Sequence, residues 1–458
     1  LLATGSFGSS PEPLSFREVL QVAMEKSGEI LSSREDLNAL VSERLASQGG
    51  FDWSWKTTAI GNALGIYDHV YADALVEKPL GPWSSSVFAG YRWSGGKFPI
   101  YDGKMETGEQ GEARVGARFS LWRNRDVDRR RASLSAAGLG QTAGEAALRQ
   151  STVAALREVA KKYWDLALAQ QRLKIARKLL EIGQERQHFL EQRFQHGDLP
   201  KFDADDNRRS ILQRKAQVVQ AERQVQAEAN RLSVLLQAPV DPARKTESAL
   251  LERSEEMAAR PVPSFDELFK AARENRPEFA RLTSLAEQQK IEARFQANAA
   301  DPRLDVQVAA ARDFGTGDIP LSESNLDTQL WLEIPLQRRE ARGKLGVASA
   351  KIRRLDVQRQ LLLRQIEAET RDLLQAFAAL TIRIQLAREE RDLAQSLEEG
   401  EKKRFTHGES NLIFLNLRDQ TLFDASIRYL ETLAEYRKLR VDLWAITAAP
   451  IEELWSSS

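Results

Sequence analysis

The chain contains no cysteine in 458 residues. That excludes disulfides, thiolate metal sites and cysteine nucleophiles, and it leaves an extracytoplasmic home open. It also lacks an excess of charge: 66 basic and 66 acidic residues cancel, which argues against a dedicated nucleic-acid binder. No apolar run reaches the roughly 18 residues a transmembrane helix needs. Histidines number four. The acidic pair Asp205-Asp206 has no nucleophile or Gly-rich phosphate loop beside it, and negative charge near a helix N-terminus explains it. No enzymatic motif is present, and no cofactor or metal is expected. The first residue is Leu1, with neither Met nor a basic leader, so a mature form with its export signal removed is expected.

What is present is a duplication. Arg193-Phe194-Gln195-His196-Gly197-Asp198 returns as Arg404-Phe405-Thr406-His407-Gly408-Glu409. Each copy ends one helical stretch and opens another, and a Gly there supplies the left-handed backbone that stops a helix. Each therefore reads as the tip of a helical hairpin. A second echo joins Ser15-Phe16-Arg17-Glu18 to Ser264-Phe265-Asp266-Glu267, both written as capping boxes. The halves begin near Leu14 and Pro263, with a linker over 238–263.

The outward arms of the hairpins, 128–195 and 339–406, contain no proline. At 1.5 Å per residue each would reach roughly 100 Å. Their apolar spacing is of coiled-coil type at Ile366, Leu373, Phe377, Leu380, Ile384, Ala387 and Ala394, and the return arm does the same with Leu415, Leu422, Tyr429, Leu433, Tyr436 and Leu443. Frequent alanine, as at Ala154, Ala155, Ala160, Ala167 and Ala169, permits close neighbours on more than one side.

Before each arm the period changes to two. Phe51, Trp53, Trp55 and Thr57 alternate with polar residues, as do Val115, Ala117, Phe119 and Leu121. The second half repeats this with Leu304, Val306, Val308 and Ala310, then Thr328, Leu330, Leu332 and Ile334. Such lengths suit tilted membrane-spanning strands. Trp53, Trp55, Trp83, Trp93 and Trp122, beside Tyr67, Tyr71, Tyr91 and Tyr101, suit an aromatic girdle. An aromatic-rich soluble sheet would show the same alternation. The arms decide between them: two to four strands per half cannot close a barrel, and an open sheet in lipid leaves unpaired backbone groups costing several kcal/mol each. Several copies must close it. The segment 84–111 has no second-half counterpart, and it either adds a hairpin to the barrel or forms an excursion.

With the duplication, the order of helix, strands, long arm, Gly-centred tip and return arm, and the Tyr163-Trp164 and Arg-Phe-x-x-Gly elements, nearly the whole chain resembles the TolC-like outer-membrane channels of tripartite efflux and type I secretion systems. The resemblance implies an α+β membrane protein: a homotrimer with a β-barrel in outer-membrane lipid and a long periplasmic α-helical barrel. It implies a passive conduit in a Gram-negative bacterium, docking through its tips to a periplasmic adaptor coupled to an inner-membrane pump of RND or ABC type. The corresponding segments are 1–50, N-terminal and equatorial helices; 51–123, first strands; 124–237, first hairpin; 238–300, linker and equatorial helices; 301–337, second strands; 338–448, second hairpin; and 449–458, the tail.

The resemblance assigns adaptor docking to Arg193, Phe194, His196, Gly197, Asp198, Arg404, Phe405, His407, Gly408 and Glu409. Asp203 holds the place where a first-hairpin Asp helps latch the closed mouth, with Asp206 one turn on. The second hairpin departs from the pattern, having Ser410, Phe414 and Leu417 where charged gate residues are usual, and Asn416 as the nearest polar group. An apolar constriction is expected there in place of an electrostatic latch. His196 and His407 would set six imidazoles near the mouth of a trimer, open to a pH-gating or metal role; capping a helix C-terminus is the plainer function. The cluster Arg123, Arg125, Arg129, Arg130 and Arg131 reads as a solvated helix start, with lipid phosphate or pore as the alternatives. Two rival classes are weaker. A periplasmic adaptor would carry one hairpin, and a soluble coiled-coil scaffold leaves the Trp-rich strands unexplained.

Overall fold

The computed structural model describes residues 12–98, 106–196, 200–247, 249–259, 261–316 and 324–456. Two compact units emerge. One comprises Leu1–Glu35, Ala147–Phe279 and Leu361–Ser458; the other comprises Asp36–Ala146 and Ala280–Gln360.

The first unit is helical and holds both hairpins. Helix α3 (Arg129–Gln195) ends in it and is followed by α4 (Lys201–Leu236); α9 (Arg339–Thr406) is followed by α10 (Leu412–Thr447). Asparagine 411 caps α10, its side chain accepting from the Phe414 N–H at 3.1 Å. The coiled-coil spacing becomes a seam: Leu373, Phe377, Leu380 and Ile384 are buried with Tyr429, Leu433, Tyr436 and Leu443. Phe377 meets Tyr436 edge-to-face at 5.8 Å between centroids. Against α3 and α4 packs α1 (Phe16–Lys26), whose Phe16 lies 5.2 Å from both Tyr163 and Trp164. The Tyr163 hydroxyl donates to the Leu14 carbonyl at 2.9 Å and accepts from the Glu247 N–H at 3.1 Å, and burial pushes its pKa up. Arg437 lies over the Trp164 ring and donates to Ser254; burial lowers its pKa to about 10.

The two capping boxes part company. At α7 (Phe265–Asn275) the Ser264 hydroxyl accepts from the Glu267 N–H and Glu267 accepts from the Ser264 N–H at 2.8 Å. At α1 Ser15 makes no side-chain cap. Its would-be partner Glu18 instead receives both guanidinium nitrogens of Arg244, at 3.0 and 2.8 Å. A charge-assisted fork outcompetes a neutral backbone donor.

Among the described residues, the second unit is built on one antiparallel sheet of six strands in chain order. They are β1 (Ser54–Asn62), β2 (His69–Pro79), β3 (Ser86–Gly96), β4 (Gly111–Ser120), β5 (Arg303–Phe314) and β6 (Ser324–Glu333). Four strands come from the first half and two from the second, meeting where β4 pairs with β5. The segment unique to the first half supplies β3, which pairs along its length with β2; residues 99–105 fall outside the described ones. The expected first strand begins later than the alternation suggests, because 49–51 form a 3-10 turn. In β2 the alternation is blurred, since Tyr71 and Leu75 share the side of Asp73 and Glu77.

The register sorts the sheet into two faces. Residues directly opposite each other point the same way. One continuous face therefore carries Trp55, Val76, Ala89, Val115, Ala310 and Leu326, with Thr57, Ala74, Tyr91, Ala113, Val308 and Leu330 among the neighbouring rows. The opposite face is polar and paired: Lys56 with Glu77 at 2.5 Å, Arg92 with Glu112, and Arg114 with Asp73. Arg118 forks onto Gln307 at 3.0 and 2.7 Å. Gly90 and Gly116 lie on this polar face. A Cβ on Gly116 would strike the Phe88 ring, the Val308 carbonyl at 2.7 Å and the Ala309 Cβ at 2.9 Å. Trp53, Trp83 and Trp122 are exposed at one strand-end edge, beside the start of β1, the end of β2 and the end of β4.

At that edge the expected arginine cluster is a helix start. Asp128 accepts from the Arg131 N–H at 3.0 Å and pairs with its guanidinium at 2.6 Å, while Arg131 also donates to the carbonyls of Asn124 and Arg125. Arg129 stacks over Phe295. No helix among the described residues is long and apolar enough to cross a membrane.

Candidate functional site

The second tip shows why its sequence turns. Gly408 has φ of 79°, the Gly408 N–H donates to the Phe405 carbonyl at 3.1 Å, and the Glu409 N–H reaches the Arg404 carbonyl at 2.9 Å. Those two bonds form a Schellman closure with glycine at its left-handed position. A β-branched residue resists that backbone, so Gly408→Val should destabilise the tip by about 1–2 kcal/mol. Limited proteolysis should then cut the second tip faster than in the wild type, and an unchanged cleavage rate would contradict the left-handed assignment. Gly197 and Asp198, the equivalents in the first tip, lie outside the described residues.

The histidines behave alike in both tips. His196 donates from Nδ1 to the Gln192 carbonyl at 2.7 Å, and His407 does the same to Lys403 at 2.7 Å. Each imidazole satisfies a carbonyl left open by the ending helix, which matches the capping role. Among the described residues no group of His, Asp and Glu is arranged to hold a metal ion. Arg404 donates to the Glu409 carbonyl at 3.4 Å, bracing the turn, and Arg193 lies over the Phe189 ring. Phe194 is exposed, and Phe405 half-buried.

The residues assigned to the gate separate into four kinds. Ser410 belongs to the tip itself, donating to the buried Glu401, which Arg404 and Arg418 also approach. Phe414 and Leu417 are exposed on α10, with Ile413 beside them and Phe202 exposed on α4. Asp203 is half-buried near the start of α4, and Asp206 pairs with Arg209 on its own helix at 3.0 Å. Asn416 alone among them joins both hairpins, accepting from Arg186 of α3 at 2.7 Å and Arg214 of α4 at 3.4 Å.

Asn416 leads to a cluster that sequence reasoning missed. One turn on, Asp419 receives Arg186 at 2.8 Å and Arg214 at 3.0 Å, all three side chains almost wholly buried. Arg214 also donates to the Leu179 carbonyl at 2.9 Å. Gly183 makes the room: a Cβ there would come within 2.9 Å of the Arg214 guanidinium. Burial draws the pKa of Arg214 down while Asp419 opposes the shift; burial, with Asp419 nearby, raises that of Glu398. An ionic link between the hairpins thus exists at Asp419, beyond the gate positions Ser410, Phe414 and Leu417. Two arginines of the first hairpin converge on one aspartate of the second, about three helical turns in from the tip at Gly408. The signal available in sequence was Gly183, seven residues after Ala176 in an otherwise well-formed helix.

Among the described residues the chain thus combines two long helical hairpins with one antiparallel sheet. Residues 87–237 match the family model described as outer membrane efflux protein, which upholds the resemblance read from the sequence. Among solved structures, CusC, whose crystal structures concern folding and transmembrane channel formation, is similar with a TM-score of 0.68 and 14% identity, covering 96% of this chain and 93% of that one. The open state of the Neisseria gonorrhoeae MtrE outer membrane channel gives 0.66 and 14%, covering 95% and 89%. The outer membrane protein VceC of Vibrio cholerae gives 0.65 and 13%, covering 95% and 96%. At these identities the likeness is one of fold. No curated protein matches the chain by sequence.

Proposed function

We propose that the protein is the outer-membrane exit duct of a tripartite efflux or type I secretion system: a homotrimeric, passive conduit without catalytic chemistry. The observation that carries this reading is the sheet. It has one exposed apolar face, one charge-paired face and two open edges. In water the apolar face is a liability, and in lipid the open edges are. Both are resolved when copies close into a barrel with apolar residues toward lipid and paired charges toward the passage. The helical hairpins then line the periplasmic section, and their tips meet an adaptor coupled to an inner-membrane pump of RND or ABC type.

Fractionation tests the reading. The protein should require detergent, run as a trimer that collapses on heating, and conduct ions in planar bilayers. A water-soluble, non-conducting monomer would overturn it. Phe414 and Leu417, exposed side by side near the second tip, are assigned to the mouth. Phe414→Asp and Leu417→Asp should each change single-channel conductance several-fold; unchanged currents would remove them from the gate.

A further inference from the structure

The two connections from strand to arm leave the sheet at one edge. The first, 121–128, carries the chain from β4 into α3, and the second, 334–338, from β6 into α9. Each turns through a left-handed residue, Asn124 at φ 71° and Arg338 at φ 53°. Asparagine takes that backbone readily and arginine rarely, so the surroundings hold Arg338 there. Between the connections lies a cavity of about 720 Å³, lined also by the end of α8 (Pro277–Ala299). Arg123 and Arg129 from the first half line it, with Arg338, Arg339 and Lys344 from the second. Its acidic residues are Glu333 and Glu340, which leaves three positive charges in excess.

Both carboxylates are already committed. Glu340 pairs with Lys344 at 2.6 Å, and Glu333 is approached by Arg123 at 3.5 Å and Arg303 at 3.9 Å. Arg129 lies over Phe295 and reaches Glu292 only at 3.7 Å. Among the described residues the Arg338 guanidinium finds only the Pro335 carbonyl, at 3.4 Å, and that of Arg339 has no partner. Cations gathered around one hollow repel each other, and an anion among them removes that cost. Guanidinium forks match the oxygens of a phosphate. The position then selects the kind of phosphate. Trp53, Trp83 and Trp122 stand exposed along this same strand-end edge, and indole rings favour the level of lipid headgroups. The apolar row of β6 runs through Leu330 and Leu332 toward the cavity, and Leu336, which lines it, is 91% exposed. A dissolved phosphate has no use for that apolar lip, whereas a lipid lays its chains along it.

We propose that this cavity holds the phosphate of an anionic phospholipid, bound by Arg338 and Arg339 with Arg123 and Arg129 beside them, its chains against Leu336 and the apolar row of β6. This rests on the reading of the sheet as the membrane section. The lipid then belongs to the leaflet on the side of the helical arms. Cations from both halves of the chain meet on it, so the bound lipid bridges the starts of α3 and α9 where they leave the sheet.

Native mass spectrometry of the full-length protein in non-ionic detergent, titrated with phosphatidylglycerol, phosphatidylcholine or inorganic phosphate, tests the site. Phosphatidylglycerol should be retained in preference to phosphatidylcholine, and excess inorganic phosphate should not displace it. Each basic residue near a membrane surface strengthens anionic-lipid binding about fivefold, so Arg338→Gln with Arg339→Gln should weaken retention about 25-fold. Gln337→Glu adds a negative charge to the same lining and removes no arginine, and it should also weaken retention several-fold. Arg354→Gln, further along α9 and outside the cavity, should change nothing. Positions 337–339 are exposed, so these variants should assemble normally. Equal retention of the two lipids, or undiminished retention by both lining variants, overturns the site and leaves the channel reading standing. Phosphate binding without any lipid preference makes this a free-anion site and overturns the lipid assignment. A water-soluble monomer that takes up no lipid overturns both readings.

Discussion

Replacing Asp419 with alanine should unlatch the two hairpins. Arg186 and Arg214 converge on this one carboxylate, and its removal strands two guanidinium groups in a nearly dry site. Breaking a buried pair by removing one partner costs about 3–5 kcal/mol. The helices relieve that cost most simply by letting water reach the arginines, which requires the second hairpin to swing from the first. Thermal unfolding should therefore begin several degrees lower, and single-channel conductance should rise several-fold. The variant Asp419→Leu with Arg186→Met and Arg214→Met separates the electrostatic from the packing contribution. Filling the same volume with apolar groups should restore thermal stability. If Asp419→Ala changes neither melting nor conductance, the cluster does not hold the hairpins together.

Gly116→Val should abolish assembly in the membrane. Gly116 faces Phe88 across the β3–β4 pair, and any Cβ there meets the Phe88 ring and the Val308 carbonyl. The obstruction is backbone as well as side chain, so a rotamer change cannot remove it. Overpacking of this kind typically costs about 1–3 kcal/mol, and here it acts on the pairing that joins the two halves. The heat-sensitive trimer band should largely disappear. Adding Phe88→Ala should recover only part of it, because the Val308 carbonyl still obstructs. Full trimer yield from Gly116→Val alone would show that the sheet is looser than its register implies.

Much of this protein was legible in its residues. The repeated tip with its glycine, the proline-free arms and the threes-and-fours spacing of Leu373, Phe377, Leu380 and Ile384 specify long antiparallel helices, because helix stops and apolar periodicity are local properties. The alternation in β5 and β6 is equally local. Strand β2 escaped because apolar Tyr71 and Leu75 stand on its polar side, where the sheet can accommodate them and a single-strand pattern cannot reveal it. The capping box at Ser15 failed for a non-local reason: Arg244, more than two hundred positions away, takes Glu18.

The chain's own letters thus determined the repeated architecture, the lengths of its rods and the two-sided character of its strands, since each depends on neighbours a few positions apart. Only the folded arrangement decided that β4 joins β5, that six strands form one sheet with two free edges, and that Arg186, Arg214 and Asp419 share a buried site. Those facts depend on residues some two hundred positions apart meeting in space, and hydrogen bonds and charge pairs of that span leave no periodic trace along the chain.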